Sequence, residues 1–144
     1  MICSKDVLTK VLQQMYHHEV AKNKFIRISL NSVPQDFTSD GVLLNRVLVN
    51  MLKNALEASD EGSVVEIGST MYGFDKLRFW VKNENLIPEE VKSQIFQRSF
   101  STKGKGRGIG TYSVKLFGEQ YLKGKVGFIS NEQERTIFHI DLNV

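Results

Sequence analysis

Apolar positions recur at helical spacing through Val7, Leu8, Val11, Leu12, Met15 and Val20, which predicts an amphipathic helix over residues 5–20 with Ser4 as its N-cap. The period then drops to two. "KFIRISL" alternates Phe25, Ile26, Ile28 and Leu30 with polar residues and reads as a strand ending near Asn31 and Pro34. After the loop "VPQDFTSDG" the helical period returns, with Ser39 or Asp40 as cap and a helix running to about residue 59 before Gly62. "SVVEIGST" and "KLRFWVK" are two strands joined by a turn around Tyr72, Gly73, Phe74 and Asp75. Pro88 suits the first turn of a short helix, "PEEVKSQIF". A glycine-rich stretch leads into a helix through about Leu122, and "GKVGFIS" and "RTIFHIDL" close the chain as alternating strands. Five strands and four helical segments predict an α+β fold, an α/β sandwich whose mixed five-stranded sheet carries its helices on one face.

At 144 residues the chain is expected to form one domain, 1–144. A net charge of +3 suits an anion such as a nucleotide and does not argue for nucleic acid. The lone cysteine, Cys3, excludes an internal disulfide. No apolar run is long enough to cross a bilayer, so no direct membrane contact is expected of this chain.

Two stretches carry candidate chemistry. On the 42–58 helix, Leu44, Val47, Leu48, Met51, Leu52, Ala55 and Leu56 make the apolar face, while Arg46, Asn50, Asn54 and Glu57 follow one another as a polar ridge. Asn50 borders the core face and is expected to be half-buried, so its amide needs partners. A packing role explains such a pair adequately. The sharper alternative is a cleft where amide oxygens bind a hard cation beside substrate phosphates, an arrangement that suits magnesium. In "GKGRGIG", glycines 104, 106, 108 and 110 precede a helix, with Lys103, Lys105 and Arg107 adding charge. Such a loop either cradles phosphate or is merely a flexible surface loop. It is neither a P-loop nor a dinucleotide fingerprint.

The order of these stretches resembles the ATP-binding catalytic domain of sensor histidine kinases, within the GHKL ATPase superfamily. "LLNRVLVNMLKNALEAS" resembles its N box, "VKNENLIP" stands in the place of the first glycine box, "IFQRSF" resembles the F box and "GRGIG" the second glycine box. The closing strands put Thr136 at the threonine of a G-T-x-F ending. The resemblance implies ATP and Mg²⁺ as cofactors. It implies Asn54 as a magnesium ligand, Asn50 as a second ligand or phosphate contact, and Glu57, Asn83, Asn85, Ile87 and Thr136 around the nucleotide. It also implies Phe96, Phe100, Ser101, Thr102, Lys103, Gly104, Gly106, Arg107, Gly108, Ile109, Gly110 and Thr111 as nucleotide-binding residues, with the backbone N–H groups of Gly106 to Gly110 holding phosphates beneath a mobile lid of about residues 90–107.

The sequence also departs from the family pattern. Asn83 stands where the family has the aspartate that accepts from the adenine amino group. Asn85 replaces a glycine, and the segment to Pro88 is one residue short and lacks the next glycine. Arg135 replaces the glycine before Thr136, and Glu57 stands where many members have lysine. These changes bear on nucleotide affinity and base selectivity. "HHEVAKN" looks like a phosphoacceptor box, but too short a chain separates His18 from Asn50 for a helical hairpin, so His17 and His18 read as helix-end residues. His139 reads as a strand-face residue, and Tyr112 and Tyr121 as packing residues.

The implied function is to hold Mg-ATP and donate its γ-phosphoryl to a histidine on a separate dimerisation domain of the same kinase, with a response regulator downstream. The chain would be a cytoplasmic piece of a larger sensor kinase, inactive alone. The alternatives are a degenerate GHKL binding module with weak nucleotide affinity and a regulatory surface, and a hydrolase, which the amide at position 50 disfavours.

Overall fold

The computed structural model describes residues 1–92 and 114–144. Its elements are β1 (Ile2–Cys3), α1 (Ser4–Tyr16), β2 (Phe25–Ile28), β3 (Asp36–Phe37), α2 (Gly41–Glu57), β4 (Val64–Tyr72), β5 (Lys76–Asn83), α3 (Glu89–Lys92), the π-wound α4 (Leu116–Tyr121), β6 (Lys125–Asn131) and β7 (Arg135–Asn143). Five strands form one sheet in the order β2-β4-β5-β7-β6, with β2 parallel to β4 and the other pairs antiparallel. This is the expected mixed sheet.

The apolar face of α2 is the one its spacing predicts, because all seven of its apolar face residues are buried. Asp40, rather than Ser39, caps the helix by accepting from the Leu43 N–H at 3.0 Å. Such a cap is worth about 1 kcal/mol. Along β5 burial alternates, and Leu77, Phe79, Val81 and Asn83 share the inner face. On β7 their register partners Leu142, Ile140, Phe138 and Thr136 continue that face. Phe79 is wholly buried, and its ring lies 5.8 Å from that of Phe37.

Five local features differ from expectation. Ser4 does not cap α1: Cys3 is the cap residue and makes no side-chain bond, while the buried Ser4 hydroxyl donates to the Val33 carbonyl and accepts from the Gln35 N–H. α1 stops at Tyr16 instead of residue 20, and a 3-10 turn covers Glu19–Ala21. Tyr16 is exposed, and "YHHE" offers no apolar residue to extend the buried stripe. The pair β1–β3 was not expected, since two-residue strands carry no readable period. The segment before Leu122 is π-wound over Leu116–Tyr121, with the Leu122 N–H bonding the Phe117 carbonyl at 2.9 Å. A Cβ on Gly118 would sit 2.5 Å from Val126 and 2.9 Å from Ile140, so glycine is what lets this turn press onto the sheet. Tyr121, expected as a packing residue, is mostly exposed, its ring tilted against that of Phe117 at 5.7 Å.

Candidate nucleotide site

The polar ridge of α2 divides by role. Arg46 is exposed and its guanidinium lies 5.9 Å over the Phe117 ring, tying α2 to α4. Asn50, Asn54 and Glu57 are half-buried, as expected for residues beside the core face. Asn54 and Glu57 are both engaged in contacts.

The inner face of the sheet turns polar at one end. Asn83 continues the row Leu77, Phe79, Val81 and is only 4 % exposed. Its Oδ1 accepts the Asn85 N–H at 3.1 Å, closing a turn directly after β5. The Asn85 side chain donates from Nδ2 to the Ala58 carbonyl at the C-cap of α2, one turn beyond Asn54. Across the strand pair, Asn83 faces Thr136 in register. The Thr136 hydroxyl donates to the Asn85 carbonyl and lies 2.9 Å from the Ser130 hydroxyl, which accepts the Ile87 N–H at 2.8 Å. Lys92 reaches back to the Ser130 carbonyl at 2.7 Å. Asn83, Asn85, Ile87 and Thr136, which the sequence places at the site, therefore share one hydrogen-bonded network that leans on the end of α2.

Sequence reasoning passed over Ser130 and Lys92. Ser130 had a readable signal: it is the polar break in the row Val126, Phe128 on β6. Lys92 had none, because its acceptor lies on a distant strand. Phe96, Phe100, Ser101, Thr102, Lys103, Gly104, Gly106, Arg107, Gly108, Ile109, Gly110, Thr111 and Tyr112 lie outside the described residues. Among the described residues no cluster of three His, Cys, Asp or Glu side chains is suited to a metal. Magnesium bound through one or two amide oxygens and nucleotide phosphates does not need one, so the donor set of α2 fits that ion.

The opposite, open face carries a second polar group. Arg78 makes a two-pronged ion pair with Asp141, at 2.7 and 3.0 Å, and its guanidinium lies 4.1 Å over the Tyr72 ring. The bond to Asp141 holds the Arg78 pKa above its ordinary value. His139 lies beside this pair with Nδ1 3.5 Å from Asp141, packed against Gly127, where a Cβ would come within 3.0 Å of its ring. Burial, reinforced by the Arg78 charge, pushes the imidazole below its ordinary 6.5. His139 is thus a strand-face residue, as expected.

Fold and sequence agree on a class. Residues 39–144 match the family described as histidine kinase-, DNA gyrase B- and HSP90-like ATPases, and the chain belongs to it. Within that family its relatives are histidine kinases. It is 29 % identical over 122 residues to the histidine protein kinase SaeS of Staphylococcus epidermidis, covering 79 % of this chain. The chain spans about a third of that relative's length (35 %). The catalytic domain of the histidine kinase ThkA superposes with a TM-score of 0.79 at 25 % identity, covering 99 % of this chain and 96 % of that one. The mycobacterial sensor histidine kinase MprB shares the fold, with a TM-score of 0.81 at 19 % identity over 99 % of this chain and 95 % of that one. ThkA has also been solved in complex with the response regulator protein TrrA, a match covering 40 % of that chain. The chain is thus a catalytic ATPase domain of the histidine kinase type. No helix among its described residues is long and apolar enough to cross a membrane.

Proposed function

We propose that this domain binds Mg-ATP between α2 and the polar end of β5 and β7, and passes the γ-phosphoryl to a histidine on a separate dimerisation domain, with a response regulator downstream. The observation that carries this reading is Asn83: a buried amide at the end of an apolar row, in a network that also touches the C-cap of α2. Asn83 and Thr136 orient the base. Asn54, with Asn50 beside it, would hold a magnesium ion, whose chemistry there would be to neutralise phosphate charge. The protein's part is positioning and charge neutralisation. An amide at position 50 is no base, so attack by water is slow and the phosphoryl is kept for its acceptor.

Calorimetry with Mg-ADP and Mg-ATP on the chain tests this reading, together with Asn54→Ala. The variant is expected to lose about tenfold or more in affinity with magnesium and much less without it. An equal loss in both conditions removes Asn54 as a ligand. Absence of all binding leaves a regulatory binding module. Labelled ATP is expected to transfer phosphoryl to a supplied dimerisation domain, and label on His17 or His18 of the isolated chain would contradict the proposal.

A further inference from the structure

Between β5 and α3 the chain crosses residues 84–88 outside any helix or strand. None of these residues is buried, and neither Leu86 nor Ile87 joins the hydrophobic core. An open cavity of about 500 Å³ lies between this stretch and the tip of the β6–β7 hairpin, lined by Leu86, Pro88 and Glu89 and by Asn131 and Glu132. A stretch with so little packing beneath it takes its position from hydrogen bonds.

Three of those bonds run to β6 and β7, and two residues make them all. Ser130 Oγ accepts the Ile87 N–H at 2.8 Å, and Thr136 donates to the Asn85 carbonyl. Ser130 and Thr136 are register partners with hydroxyls 2.9 Å apart. The Thr136 proton is already on Asn85, so the Ser130 proton lies between the two hydroxyls. Together they grip two backbone groups two residues apart, where a neighbouring strand would otherwise pair with them. The third bond is main-chain: the Ser130 carbonyl accepts from Lys92 Nζ at 2.7 Å. Ser130 thus pins both ends of the turn into α3, Ile87 with its side chain and Lys92 with its carbonyl. Among the described residues Ile87 has no other hydrogen bond to the sheet.

We infer that Ser130 is a positioning residue for the nucleotide. It sets where Asn85 and Ile87 stand against the C-terminal end of α2, with Lys92 as the second pin. The inference rests on the proposed placement of the nucleotide beside these residues, and it gives Ser130 no contact with the nucleotide.

Calorimetry with Mg-ADP on the native chain, Ser130→Ala, Ser130→Thr, Lys92→Met and the double variant Ser130→Ala with Lys92→Met tests it, with backbone amide exchange read by NMR. Ser130→Ala is expected to weaken ADP by about tenfold. Its Ile87 amide exchanges faster while the amides of β5 keep their protection. Ser130→Thr keeps the hydroxyl and is expected to bind within about twofold of the native chain. Lys92→Met is expected to weaken ADP by about threefold, and the two single losses are not expected to multiply, because both pins hold one stretch. Where Ser130→Thr does not fold, this coupling decides. Native affinity in Ser130→Ala, a full loss in a folded Ser130→Thr, faster exchange at all amides alike, or single losses that multiply overturn the inference and leave the nucleotide site in place. Failure of the native chain to bind Mg-ADP overturns the site itself, and the role of Ser130 with it.

Discussion

The sheet carries a polar group on each face, and the two differ in what they tie together. On the open face, Arg78 and Asp141 hold each other in a two-pronged pair, with Tyr72 covering the guanidinium. On the inner face, Asn83, Asn85, Thr136 and Ser130 are joined in one hydrogen-bonded network that reaches the Ala58 carbonyl and the Ile87 N–H. Both groups are built by the same two strands, β5 and β7, in the same register. The first group is an ion pair across two strands; the second ties the end of the sheet to the C-cap of α2.

Changes on one face are therefore expected to leave the other alone. Asp141→Ala strands Arg78, whose side chain is 19 % exposed, and is expected to cost about 2–4 kcal/mol in denaturant unfolding with nucleotide affinity unchanged. Replacing the pair together, Arg78→Met with Asp141→Leu, is expected to recover most of that loss. A shift in nucleotide affinity on unfolding-corrected protein would erase the distinction between the faces. Thr136→Val is the mirror test. It interrupts the hydroxyl run and is expected to cost about 1–2 kcal/mol of stability, and here nucleotide affinity falls as well.

Arg135 gives a smaller effect. It begins β7 with φ 60°, a conformation that favours glycine, at the position where the family pattern has glycine. Arg135→Gly is expected to stabilise the chain by about 0.5–1 kcal/mol, read as a raised unfolding midpoint, because relief of strain outweighs the added chain entropy. Thr136 follows it directly, so the same variant also reports whether a relaxed hairpin alters nucleotide binding. The smallest effect is the pH response of the open face. The folded pKa of His139 lies below the unfolded 6.5, so between these values the unfolded chain binds more protons. The stability tied to His139 is complete above 6.5 and is lost as pH falls through the folded value. Arg78, Lys125 and Asp141 are the charges acting on it. His139→Gln is expected to flatten this part of the stability–pH curve and to leave nucleotide binding unchanged across it.

Much of this was legible in the chain. The face of α2 and the alternation of β5 follow from apolar spacing alone, because each buries one side and exposes the other. Motif order singled out Asn83 and Thr136, which the sheet sets opposite each other in register. Other features were set by contacts remote in sequence. Ser4 looks like a cap, but a loop about thirty residues later claims its hydroxyl. The π winding before Leu122 depends on how Gly118 meets Val126 and Ile140. The direction of the Asn83 amide is the hardest to read, since nothing in the sequence says which of its ends the backbone takes.

The pairing of Asn83 with Thr136 has a further consequence in time. β4 and β5 are joined by a short turn and pair locally, whereas the second edge of β5 is closed only by β7 from far along the chain. Until then β5 offers unpaired backbone groups to any passing strand, and the Asn85 carbonyl waits for the Thr136 hydroxyl. The network around Asn83 is thus finished only when β7 is in place, after closure of a loop of about fifty residues.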